Sequence, residues 1–224
     1  MVFFRRLRFG AGLRAGSAAL VVALAAIGCQ GGGSDAGSSV TPSSSGPSCE
    51  EFLSVEAKAA MRRIAGIPAS DSDVFLGEPA RTVDDLVSQY QLGKTGTDSR
   101  LCGAYRGTSG LDSVKVAYSL AQDLPEEGKG DSGYKKYRMG EMALAGAKAG
   151  VLYFRCVGGV FGDASTAVLI RGDVRSRYEV AEPSDAATED NLRIVHEASR
   201  GLSGLLGCES GSGVSGRFTM PPSA

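Results

Sequence analysis

The chain of 224 residues has no tryptophan, a single histidine, and 24 basic against 25 acidic residues. Each shortage excludes something. With one histidine, any Ser–His–Asp or Cys–His relay has to run through His196. The five cysteines, at positions 29, 49, 102, 156 and 208, never form C-x-x-C. A thioredoxin-like redox pair and a zinc site therefore have no motif, and neither metal nor cofactor is expected. Near-neutral charge gives no electrostatic footprint for nucleic acid.

Fragments of catalytic motifs occur out of context. Lys94-Thr95-Gly96 and Ser132-Gly133-Tyr134-Lys135 match K-T-G and S-x-x-K of penicillin-binding enzymes, but in reversed order and without S-D-N. Residues 211–216 read G-x-G-x-x-G, yet no strand precedes them and no helix follows. The pairs Asp84-Asp85, Glu126-Glu127 and Glu189-Asp190 are adjacent residues, which is not the opposed geometry of a glycosidase. Asp71 and Asp73 lack the further ligands of a calcium loop. No residue is therefore assigned a catalytic role.

What the chain does carry is an address. Arg5, Arg6, Arg8 and Arg14 precede an apolar stretch at 15–28, too short for the ~20 residues of a membrane-spanning helix. A basic segment followed by such a stretch is the pattern of an export signal, and Arg5-Arg6 leaves both the general and the twin-arginine route open. Residues 30–48 follow, fourteen of the nineteen being Gly, Ser or Pro. That composition cannot bury a core and suits a flexible tether. Losing residues 1–28 would remove four basic residues and no acidic one, leaving 20 against 25 and a net charge of −5.

Ala26-Ile27-Gly28-Cys29 resembles the lipobox of bacterial lipoproteins, in which cleavage precedes a cysteine that carries a diacylglyceryl group. Gly28 and Cys29 match that pattern, whereas Ala26 and Ile27 stand where the family has Leu and a small residue. Cleavage after Ala25 is the competing reading. The resemblance implies lipidation at Cys29 and attachment to the outer face of the cytoplasmic membrane, anchored stably where two or more chains are added. It also leaves an even number of cysteines, which an exported protein favours.

The remaining 160 residues, 49–208, suit one domain. Ser48 and Glu51 form an S-x-x-E capping box that predicts a helix over 49–65, and Thr82 with Asp85 predicts a second over 82–92. Val114, Val116, Tyr118 and Leu120 alternate with smaller or polar residues and predict a strand, paired as a hairpin with 100–106 across Thr108-Ser109-Gly110. Further strands are expected at 134–139, 150–157 and 165–172. A last helix is expected at 186–207, with Leu192, Val195, Ala198, Leu202 and Leu206 as its apolar stripe and His196 at the border of that stripe. The fold class is α+β: an antiparallel sheet of about four or five strands with two N-terminal helices and one C-terminal helix packed on it, braced by disulfides. Residues 209–224 are expected to be disordered.

Cys49, Cys102, Cys156 and Cys208 permit three pairings. The near-equal separations favour 49–102 with 156–208, while 49–208 with 102–156 would tie the two ends of the domain together; the sequence leaves both open. A cysteine opening the first helix, Arg100-Leu101-Cys102 in a strand, LYFRCVGG in another, and a final helix ending LLGC resemble a group of actinobacterial lipoproteins without an assigned activity. That resemblance implies an envelope-anchored α+β domain and transfers no site residue.

Two basic stretches are candidates for an anionic partner: Lys135, Lys136 and Arg138 among Tyr134 and Tyr137, and Arg171, Arg175 and Arg177 beside Tyr178. If their strands are neighbours, they form one cationic surface for an envelope polymer or an acidic protein. The sequence thus favours a non-catalytic binding or accessory module held on the membrane. A small extracytoplasmic hydrolase using His196 and a small solute-binding protein are the alternatives.

Overall fold

Ser48 starts the fold as the sequence implies. Its hydroxyl accepts from the Glu51 amide at 3.4 Å and the Glu51 carboxylate accepts from the Ser48 amide at 2.9 Å. The Ser48 amide and the Ser48 hydroxyl, each donating to the Glu51 carboxylate at 2.9 Å, hold that carboxyl below its ordinary value. The computed structural model describes residues 46–224 except 73, 108–110, 127–132, 164, 179–184, 209–212 and 215. Residues 1–45, with Cys29, the expected export signal and most of the expected tether, lie outside that set, as does the expected turn at 108–110.

The first helix is not continuous. α1 (Cys49–Phe52) stops at an extended Leu53, and Ser54 caps a new helix, α2 (Val55–Ala65), by accepting from the Ala57 amide. A second good N-cap six residues after Ser48 splits what periodicity reads as one element. α2 ends where Gly66 adopts φ +62° just before Pro68. α3 (Pro79–Gln91) begins three residues earlier than Thr82 suggests, because Pro79 suits the first helical turn. Thr82 instead donates its hydroxyl to the Arg100 carbonyl at 3.0 Å.

The sheet has seven antiparallel strands among the described residues, in the order β1-β2-β3-β7-β6-β5-β4. They are β1 (Phe75–Leu76), β2 (Ser99–Tyr105), β3 (Asp112–Leu120), β4 (Lys135–Tyr137), β5 (Met142–Ala145), β6 (Ala149–Val157) and β7 (Ala167–Ser176). Two meanders meet at β3 and β7, where Val116 faces Val174 and Tyr118 faces Gly172. The expected four or five strands fall short by β1, which is too short to show a period, and β5, whose M-A-L-A sequence lacks β-branched residues.

α4 (Asp185–Leu206) packs across β5, β6 and β7, and α2 and α3 cover β2 and β3, on the face that carries Val114, Val116, Tyr118, Leu152, Phe154 and Ile170. Burying each large apolar side chain of such a seam contributes about 2 kcal/mol. Two glycines let the helix lie close. A Cβ at Gly172 would come within 2.6 Å of the Tyr118 ring, and one at Gly150 within 3.1 Å of Asn191. The hydroxyls of Tyr118 and Ser199 satisfy each other at 3.0 Å inside the seam. A second, smaller apolar group, Met142, Val151, Tyr153 and Leu169, occupies the opposite face of the sheet. Ala117 and Ser119 are therefore buried as well as their alternates.

The described part of the tail corrects the expectation of disorder. Val214 is 1% exposed in the main core, the Gly140 and Arg138 amides donate to the Gly213 and Pro222 carbonyls, and Ala224 donates to Lys136. β4 is an edge strand with ladder groups to satisfy, and the C-terminal residues supply partners for them.

The disulfides are Cys49–Cys102 and Cys156–Cys208, which join α1 to β2 and the end of α4 to β6. Their sequence separations are 53 and 52. Replacing both members of either pair with serine is expected to cost roughly 4 kcal/mol on the loop-entropy estimate. Urea denaturation of each double variant against the oxidised parent measures it, and a loss under 1 kcal/mol would mean that the denatured chain is not constrained by the bridge.

Candidate functional site

The two basic stretches do not form one surface. β4 and β7 are separated by β5 and β6, so the condition for a joint patch fails. On β4, Lys135 shares the helix-bearing face with Tyr137 and lies 3.4 Å from Asp185, while Lys136 turns to the other face opposite Leu144. Arg138 is exposed beyond the strand, its amide held by Pro222.

On β7, Arg171, Asp173 and Arg175 project from the face opposite α4. Asp173 is 2% exposed and accepts from both arginines. Arg175 approaches it with Nε at 2.6 Å and a terminal nitrogen at 3.1 Å, and Arg171 bonds the same carboxylate while lying 3.4 Å from Asp98. The hydrogen bond and charge of Asp173 raise the Arg175 guanidinium above its ordinary value. Lys115 stands directly across from Arg175. Arg171 is largely covered by these contacts, with 22% of its side chain exposed, whereas Arg175 keeps 60% of its side chain exposed while it holds Asp173. Arg177 is exposed, and among the described residues only its backbone is engaged, its amide donating to the Ser113 carbonyl at 2.9 Å.

A different cluster is built around α4. His196 is 6% exposed, which is deeper than a border position implies, because the C-terminal segment lays Phe218 edge-on against it with ring centres 5.7 Å apart. Its Nδ1 is buried without a hydrogen-bond partner, 3.6 Å from a Glu197 oxygen. Among the described residues no hydroxyl or thiol hydrogen-bonds to it, so the relay that a hydrolase would need is not assembled there. Burial pushes the His196 imidazole below its ordinary value, the nearby Glu197 opposes that, and Arg200 adds to it. Burial pushes the Glu197 carboxyl up, but the Arg200 hydrogen bond, the charges of Arg200 and His196 and the Phe218 amide together hold it below the usual range.

Beside this cluster lies a cavity of about 520 Å³ lined by Ser54, Glu56, Arg193, Glu197, Arg200, Arg217 and Phe218. α2 supplies the first two, α4 the next three, and the tail the last two. Arg193 stacks over the Phe218 ring at 4.5 Å. Sequence reading missed Arg217 and Phe218 because they sit in a Gly- and Ser-rich stretch. The one available signal was a lone aromatic beside an arginine.

The remaining motif fragments stay apart. Lys94-Thr95-Gly96 belongs to the turn between α3 and β2, where Gly96 donates to the Leu120 carbonyl. Ser132 lies outside the described residues, as do parts of the 211–216 glycine motif. Among the described residues no group of three or more His, Cys, Asp or Glu side chains could hold a metal, and no helix is long and apolar enough to cross a membrane. No family model matches the chain, and no curated protein or solved structure shows significant similarity to it.

Two outcomes follow from the charges. Asp173→Asn removes the charge that two arginines share and replaces one of its two acceptor oxygens with an NH2 donor, and is expected to destabilise by about 2–3 kcal/mol, read as a lower denaturant midpoint; an unchanged midpoint would mean that the arginines are solvated rather than clamped. The unfolded imidazole titrates near 6.5 and the folded one lower. Stability from keeping His196 neutral is therefore complete above about 6.5 and is lost as the pH falls from there toward the folded value. His196→Gln should flatten that part of the stability profile, and identical profiles would show that the histidine is hydrated in the native state.

Proposed function

We propose that the protein is a lipid-anchored, extracytoplasmic accessory protein of the cell envelope, acting by binding or supporting another envelope component rather than by catalysis. The observation that carries this reading is the pair of disulfides in the folded domain. They use all four cysteines from 49 to 208 and leave Cys29 as the odd one, at the end of the apolar stretch and before the tether. Structural disulfides persist in oxidising compartments. A coil of the length and Gly/Ser/Pro composition of residues 30–48 would span ~20–25 Å root-mean-square, enough to hold a domain clear of a membrane surface. The basic N-terminus and the lipobox-like Ala26-Ile27-Gly28-Cys29 are consistent with the same address.

The docking surface in this reading is smaller than the one expected from the basic stretches. Arg138 and Arg177 are exposed, while Arg175, though also exposed, and the half-buried Arg171 have their charge shared with Asp173. Any contact with an anionic polymer or an acidic protein would be made by separate points and would weaken steeply with salt.

Membrane fractionation of the native chain and of Cys29→Ser tests the anchor. The native chain should sediment with membranes and gain the mass of its acyl groups, and the variant should be released. An unacylated native chain, or a variant that stays on the membrane as firmly, would overturn the proposal.

A further inference from the structure

The cavity between α2, α4 and the C-terminal segment carries an inference of its own, independent of how the chain is tethered. Its volume of about 520 Å³ lies within the range of small-molecule sites. Three arginines and two glutamates line it, but they do not cancel evenly. Glu197, 7% exposed by side chain, is consumed from within: it accepts from Arg200 at 2.8 Å and from the Phe218 amide at 3.3 Å. The partner of Arg193 is Glu189, at 2.7 Å, which does not line the cavity. Arg217 makes no hydrogen bond or ion pair among the described residues, and it is exposed to the cavity.

Each guanidinium carries five N–H donors, and the bonds above use only a few of them. Arg200, Arg193 and Arg217, each with donors left over, line one space, next to an aromatic ring stacked under Arg193. Planar guanidinium forks match planar carboxylates. Glu56, at the start of α2, lines the same space without an ion-pair partner among the described residues and would repel a second negative charge on the ligand.

We propose that this cavity binds a small monoanionic carboxylate with a flat apolar body, the carboxylate held by Arg200 and Arg217 and the body laid against Phe218. Inorganic phosphate and other dianions are disfavoured by Glu56.

The test follows the arginine Nε–Hε NMR signals of the full mature protein during titration with benzoate, inorganic phosphate and chloride at constant ionic strength. With benzoate the Arg200 and Arg217 signals are expected to move and saturate in the millimolar range, as weak single-site binding gives. Arg217→Ala, which removes no internal bond, should weaken benzoate binding at least fivefold, and Glu56→Gln should tighten it. Shifts that stay linear and match chloride would overturn the proposal. So would saturation with phosphate alone, or benzoate binding unchanged by Arg217→Ala.

Discussion

The close approach of α4 to the sheet is the constraint on which the rest depends. It requires glycine at 150 and 172, where the helix crosses β6 and β7, and it buries Leu192, Ile194, Leu202 and Leu206 completely. A methyl group at Gly172 would meet the Tyr118 ring, and with it displace the Tyr118–Ser199 bond that satisfies both hydroxyls in the seam. Because α4 is set down so firmly, its flank is fixed too. Arg193, His196, Glu197 and Arg200 are therefore presented in a defined relation to α2 on one side and the C-terminal segment on the other.

One disulfide reinforces that seam and the other braces the opposite meander. Cys156–Cys208 pins the last turn of α4 to β6, while Cys49–Cys102 fastens the capping-box helix to β2, at the opposite meander. Each closes a loop of more than fifty residues, so each takes a large share of the denatured chain's freedom. A domain of this size, with no tryptophan and abundant glycine and alanine in its core, gains from such bracing. Bracing of this kind requires an oxidising compartment, and that requirement links the interior of the fold to the proposed location.

Much of the fold was legible because local signals and tertiary burial agree. The capping box at Ser48, the alternation through Val114–Leu120 and the stripe of α4 all give elements within a few residues of those observed. The errors have physical sources. Ser54 competes with the preceding helix for a cap, β1 and β5 are too short or too alanine-rich to show a period, and the tail is ordered by a sheet edge that local sequence does not reveal. The candidate site was less legible. Arg171-Gly172-Asp173-Val174-Arg175 carries its own explanation, since period-two spacing places an acid between two bases on one face. The cavity was not foreseeable, because its walls come from residues 54–56, 193–200 and 217–218.

Charge compensation separates the two arginine groups. On β7 the carboxylate of Asp173 is buried between Arg171 and Arg175, and the group is complete without a ligand. Beside α4 the acids are either consumed internally or set apart, and arginine donors remain. Both groups, and the proposed address, presuppose one covalent framework. Peptide mapping of the native, unreduced protein tests it directly. The account predicts one cross-linked peptide pair joining Cys49 to Cys102, another joining Cys156 to Cys208, and Cys29 in neither. A pairing of Cys49 with Cys208, a bridge that includes Cys29, or free thiols within 49–208 would contradict it.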